Sequence, residues 1–160
     1  MIDVSGPYTL QIICDDITTI FVDGKRRTAA GTGRWNQMAT VKIPASTRAI
    51  GIKCKNNGGP YGLMAQVKDS SGKVIYVTDN SWKCSNRPQR GWAAGGFRGR
   101  WRPATITRNQ KPYLRNIGAW RGMSRNKKVI WTNTGRDRIA YCRKDLRKSA
   151  GKDQSLIVKL

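Results

Sequence analysis

Histidine and glutamate are both absent from this 160-residue chain, and its acidic residues are 9 aspartates. Without imidazole, the usual serine and cysteine triads lose their general base, and a zinc site loses its commonest nitrogen ligand. Without glutamate, paired-carboxylate hydrolysis would need two aspartates converging across a cleft. Asp15 and Asp16 are adjacent, and on one extended strand such neighbours point to opposite faces. Turn formation and local hydrogen bonding are the roles expected of them, ahead of a calcium site, which wants several oxygen ligands. The chain is therefore read as a non-enzyme that needs no metal and no cofactor.

Long apolar runs are also missing. No stretch approaches the roughly 20 apolar residues of a spanning helix, so membrane insertion is not expected. Residues 1–20 lack the basic-then-apolar layout of a signal peptide, and the expectation is a mature chain whose leader has been removed, with Met1 an added initiator. There is no N-x-S/T acceptor, no internal repeat, and no 3.6-residue periodicity sustained over three turns.

What is abundant is positive charge. Lysine and arginine total 31, leaving a formal charge of +22 and an isoelectric point near 10.8. Solubility alone asks for roughly 2 to 8 charges on a small domain. The excess is a statement about partners, because self-repulsion destabilises the fold unless counterions or a polyanion screen it. The length fits one domain over 1–160. Cys14, Cys54, Cys84 and Cys142 are widely spaced with no C-x-x-C pair. An even count on a small basic chain fits two disulfides in an oxidising compartment, against four buried thiols in a cytosolic protein. The arithmetic leaves three pairings open. A secreted, extracellular protein is the expectation.

Short β-branched runs separated by turn signals mark strands at Thr9–Cys14, Thr18–Val22, Ala39–Ile43, Ala49–Cys54, Leu63–Val67, Val74–Thr78, Val129–Thr132 and Arg138–Cys142. Residues 68–73 read as a hairpin connection. Residues 85–128 are rich in Gly, Arg, Asn and Pro and are read as a long, basic, loop-rich region. Disorder is the competing reading, opposed by Trp92, Phe97, Trp101, Tyr113 and Trp120 as apolar anchors. The class is all-β.

Several segments, taken in order, resemble the galactose-binding-like β-sandwich modules of secreted lectin-like proteins and of glycoside hydrolases. These are Cys14-Asp15-Asp16, Phe21-Val22-Asp23-Gly24-Lys25, Arg34-Trp35-Asn36, Ala49 through Leu63, Thr78-Asp79-Asn80-Ser81-Trp82-Lys83, Val129-Ile130-Trp131-Thr132 and Tyr141-Cys142-Arg143. The resemblance implies a jelly-roll sandwich, with Trp82 and Trp131 in the core, and it pairs Cys14 with Cys54 and Cys84 with Cys142. It also exposes a departure. Phe97 through Ala104 stands where such modules carry an acidic loop, and here that loop is basic. Recognition of phosphate, sulfate or carboxylate becomes easier to picture than a sugar site built on carboxylates.

The basic clusters are Lys25, Arg26 and Arg27; Arg98, Arg100 and Arg102; Arg121, Arg125, Lys127 and Lys128; and Arg143, Lys144, Arg147 and Lys148. Alternate spacing puts Arg98, Arg100 and Arg102 on one face of an extended segment. Each cluster alone reads as a solvated face, and together they read as at least one continuous positive patch. Asn56, Asn57 and Tyr61 in a turn, and Trp101 and Trp120 among arginines, are the possible sugar contacts. A secreted binder of acidic polysaccharide or extracellular matrix, including chitin-associated or mineralising matrix, is the leading expectation. Alternatives are a structural biomineralisation protein that recruits acidic polymers or inorganic anions, and a nucleic-acid binder, which no RRM, KH, helix-turn-helix or zinc-finger signature supports. A basic antimicrobial or gamete-recognition protein is a further alternative.

Overall fold

Stretches in which every second residue is aliphatic become strands, because period-two patterning lets one face of each strand meet a common core. The computed structural model describes residues 6–107 and 122–146. Among them the strands are β1 Tyr8–Asp15, β2 Ile17–Val22, β3 Lys25–Arg27, β4 Ala39–Ile43, β5 Ala49–Lys55 and β6 Gly62–Lys68, followed by β7 Val74–Val77, β8 Lys83–Ser85, β9 Arg102–Pro103, β10 Thr105–Ile106, β11 Ile130–Trp131 and β12 Ile139–Asp145. They make two six-stranded antiparallel sheets, one ordered β10-β11-β6-β1-β4 with β7 also on β6, the other β3-β2-β5-β12-β8-β9. The all-β expectation holds, and the two packed sheets make a β-sandwich.

Register follows the apolar pattern. Ile12 on β1 lies opposite Ala39 of β4 and Ala65 of β6, while Ile52 on β5 lies opposite Ile20 of β2 and Cys142 of β12. Between the sheets, Leu10, Ile12, Ile20, Ile50, Ile52, Leu63, Trp82 and Trp131 are fully buried in one cluster. Each contributes about 1.5–3 kcal/mol by leaving water. The two indoles satisfy their N–H groups internally, Trp82 donating to the Val77 carbonyl at 3.0 Å and Trp131 to the Asp137 carbonyl at 3.2 Å.

The disulfides are Cys14–Cys54 and Cys84–Cys142, the pairing implied by the resemblance. The first joins β1 to β5 and so ties one sheet to the other. The second joins directly opposed positions of β8 and β12. Sequence separations of 40 and 58 residues correspond to about 4 kcal/mol each of unfolded-state entropy removed.

Both sheets also have clothed outer faces. On the first, Ile13 and Met64 meet Met123 and Val129. The buried Gln66 amide fastens this cover: its Nε2 donates to Gln11 Oε1 (2.7 Å) and to the Gly122 carbonyl (2.8 Å), and its Oε1 accepts from the Ser124 N–H (2.7 Å). On the second sheet, the segment between β8 and β9 lays Trp92, Ala93 and Trp101 over Phe21 and Tyr141. Trp92 stacks on Trp101 with centroids 5.6 Å apart and meets Phe21 and Tyr141 edge-on. The described part of the loop-rich region is thus anchored by the aromatics expected to hold it. Residues 68–73 form the expected hairpin, with Asp69 accepting the N–H groups of Ser71 (2.9 Å) and Lys73 (3.0 Å).

A candidate anion-binding surface

Where the few carboxylates sit decides how much positive charge is left uncompensated. Asp16 accepts the Asn57 N–H at 2.7 Å, and Asp23 accepts those of Arg48 (2.9 Å) and Ala49 (3.0 Å). Asp79 caps the Ser81 N–H at 2.8 Å. Asp137 accepts from Thr132 and Thr134, each at 2.6 Å, and from Asn86 at 3.1 Å. Burial works to raise the Asp137 carboxyl, but those hydrogen bonds outweigh it and hold it below its ordinary value. The Ser71 hydroxyl does the same for Asp69, aided by backbone N–H groups. The carboxylates therefore act chiefly as local caps of turns.

Asp15 departs furthest from its ordinary behaviour. Only 2% exposed, with Oδ2 lacking a hydrogen-bond partner among the described residues, it is pushed up to about 8 by burial, reinforced by the neighbouring Asp16 carboxyl. The expectation of opposite-facing side chains on one strand is corrected. β1 ends at Asp15, and Asp16 lies beyond it, joined through a cis peptide, with its carboxyl close enough to perturb Asp15.

The exposed cations follow the second sheet. Lys25 and Arg26 lie on its β3 edge, and Arg27, half-buried, donates to the Lys42 carbonyl at 3.0 Å. At the opposite edge, Arg98, Arg100 and Arg102 are all exposed, alternating with half-buried Phe97 and Gly99 and buried Trp101. The segment between β8 and β9 links these edges: the Gly24 N–H, in the turn before Lys25, donates to the Ala93 carbonyl at 3.0 Å. Arg87 and Arg90 are exposed along it. Arg125 and Lys128 are exposed elsewhere, in the segment that covers the first sheet. The first cluster thus lies at one edge of the second sheet and the second at the other, while Arg125 and Lys128 of the third lie on the cover of the first sheet. Lys127 is buried at 9% exposure, so it does not offer a free surface charge. Arg121, Trp120, Arg147 and Lys148 lie outside the described residues.

Of the possible sugar contacts, most are built into the fold. The Asn56 amide closes its own turn, with Oδ1 accepting from the Gly58 N–H (3.0 Å) and Nδ2 donating to the Gly59 carbonyl (3.3 Å). Tyr61 is half-buried against Trp131, centroids 5.2 Å apart. Trp101, expected to offer a stacking face, is instead 7% exposed inside the aromatic cover. Asn57 remains exposed, although its N–H is held by Asp16.

Sequence reasoning passed over one feature. Beside the Cys84–Cys142 bridge, Lys83 of β8 is the register partner of Arg143 on β12. Arg143 is 4% exposed and lies under the aromatic cover. Its Nη2 donates to Asp145 (2.7 Å) and to the Ala94 carbonyl (2.9 Å), Nη1 donates to Asp145 (3.2 Å), and the guanidinium lies 5.2 Å from the Phe97 centroid. Lys83, Arg143 and Lys144 line a recess of about 340 Å³ with Tyr76, Ser81 and Phe97. The signal available was the cysteine pairing itself: Cys84 opposite Cys142 in an antiparallel pair places Lys83 opposite Arg143.

Family models, curated proteins and solved structures were all compared with the chain, and none matches it.

Proposed function

We propose that the protein is a secreted, non-enzymatic binding module that engages anionic polysaccharide or extracellular-matrix polymers through the exposed arginines at the edges of its second sheet and on the segment that covers it. The observation that carries this reading is the division of labour between the charges. Asp16, Asp23, Asp69, Asp79 and Asp137 are taken up by local hydrogen bonds, while Arg26, Arg87, Arg90, Arg98, Arg100 and Arg102 stand exposed on the two edges of the second sheet and on the segment that links them. Such a surface concentrates polyanions and steers them in, and guanidinium groups grip sulfate, phosphate and carboxylate oxygens in pairs. The disulfides support an oxidising location. The finer reading of the sandwich as a galactose-binding-like jelly roll rests on the ordered motifs, and burial of Trp82 and Trp131 supports it.

The experiment is retention on sulfated polysaccharide, carboxylated polysaccharide, chitin, neutral glycan, duplex DNA and carbonate mineral over a range of salt. The expected result is retention on both acidic polysaccharides, lost as salt rises, with none on the neutral glycan. Reversing Arg98, Arg100 and Arg102 to Glu should lower the eluting salt concentration while leaving the circular dichroism spectrum intact. Retention unchanged by that triple reversal would remove those three arginines from the reading. Tighter binding to DNA than to either polysaccharide would favour the nucleic-acid alternative.

A further inference from the structure

The recess beside the Cys84–Cys142 bridge carries more specific chemistry than the exposed arginines. Its wall includes Arg143, which is 4% exposed and whose Nε has no hydrogen-bond partner among the described residues, although both terminal nitrogens are engaged by Asp145 and the Ala94 carbonyl. A buried donor left unpaired calls for an explanation, and a bound anion nearby is one that lowers its cost. Two lysines from neighbouring strands line the same recess. Lys83 is exposed, and Lys144 is held with Nζ 2.8 Å from Ser81 Oγ and 6.0 Å from the Tyr76 centroid. Asp145, also in the lining, is neutralised by the ion pair with Arg143 at 2.7 Å.

The donor set discriminates among anions. A planar carboxylate is best matched by the planar fork of an arginine. The fork of Arg143 is already filled by Asp145, and the Ser81 hydroxyl is given to Asp79, so what remains are the point charges of Lys83 and Lys144. Those suit an oxyanion with oxygens distributed in three dimensions. Tyr76 and Phe97 add ring faces, and about 340 Å³ lies at the small end of ligand sites, enough for one sugar unit.

We infer that this recess is a subsite for a single sugar unit carrying a tetrahedral oxyanion, a sulfate or phosphate ester. The inference rests on the proposed polysaccharide-binding function and names the group that gives it selectivity.

The test is calorimetric titration with glucose 6-sulfate, glucose 6-phosphate, glucuronate and glucose, run beside the retention assay. The esters should bind at least about tenfold more tightly than glucuronate, the factor that one charge-assisted contact supplies. Glucose should give no measurable heat. Which ester binds more tightly assigns the source of the oxyanion. The double variant Lys83→Ala, Lys144→Met should abolish the ester preference yet keep salt-dependent retention on acidic polymers. Should that variant not fold, Lys83→Gln alone, at an exposed position, should weaken ester binding about threefold. Equal binding of esters and glucuronate, or ester binding untouched by the lysine substitutions, would overturn the subsite while leaving the role of the exposed arginines standing. Absence of retention on any acidic polymer would instead overturn the broader reading.

Discussion

A Cβ on Gly51 would lie 2.5 Å from the Cβ of Ala93 and 2.9 Å from Cζ3 of Trp92. The missing side chain on β5 is therefore what lets the segment after β8 lie flat on the outer face of the second sheet. Neither partner can yield easily, because Trp92 is itself wedged among Phe21, Trp101 and Tyr141. Gly51→Ala should destabilise the protein by about 1–3 kcal/mol, as overpacking in well-filled sites does. Chemical denaturation measures the loss, and a weakened near-ultraviolet tryptophan signal would place it in the aromatic cover. An unchanged midpoint would mean that the cover is loosely held.

Arg143 and Asp145 should respond asymmetrically. Asp145 keeps 43% of its side-chain exposure while Arg143 keeps 4%, so removing one partner is not equivalent to removing the other. Asp145→Asn strands a guanidinium under the aromatic cover and should cost about 2 kcal/mol, less than a fully buried pair because water still reaches position 145. Arg143→Met keeps an apolar stem over Phe97, leaves a carboxylate that water can solvate, and should cost about 1 kcal/mol. Denaturation midpoints of the two variants decide the order, and the reverse order would show that Arg143 contributes mainly through packing.

The longer strands were legible because their cause is local. Ala39–Ile43 alternates buried and exposed along its length, and the sequence alternates accordingly. β3 and β9 were not legible. Lys25-Arg26-Arg27 and Arg102-Pro103 have no apolar face to betray them, and they become strands only as edges paired to β2 and β8. At the site, the alternation of arginines from 98 to 102 was readable, but its complement was overlooked: if Arg98, Arg100 and Arg102 face water, Trp101 between them faces the sheet. The burial of Lys127 and Asn56 was not legible, for a different reason. Their burial depends on tertiary neighbours and on a turn closing upon itself, which side-chain type does not encode.

The disulfides should differ in what their loss disturbs. Cys14–Cys54 crosses between sheets and Cys84–Cys142 stays within one. Replacing either pair with alanines should cost about 4 kcal/mol by the loop-entropy argument. Only loss of Cys84–Cys142 should also weaken ester binding, because Lys83 and Arg143 follow the register of that bridge. Denaturation and the calorimetric assay, run on both double variants, test the distinction. Equal weakening of ester binding by both would mean that the bridge does not align the recess.

Asp15 gives the fold a pH dependence of unusual sign for a carboxylate. Its folded-state value stands near 8 against an ordinary 3.8, raised first by burial and then by Asp16. The folded state therefore holds this proton more tightly than the unfolded chain does. The contribution to stability is complete below about pH 4, declines as pH rises between the two values, and is gone above about pH 8, where folding must bury the charge. Asp69 and Asp137, held below their ordinary values, act in the opposite direction and lose their contribution only in acid. Asp15→Asn mimics the neutral side chain at every pH. It should match the parent near pH 4 and exceed it by about 1–3 kcal/mol at pH 8, the cost of an unpartnered buried charge. Urea denaturation at pH 4, 6 and 8 follows the divergence. Parallel profiles for the two proteins would mean that Asp15 ionises with ordinary ease, and that water enters the sandwich at the end of β1.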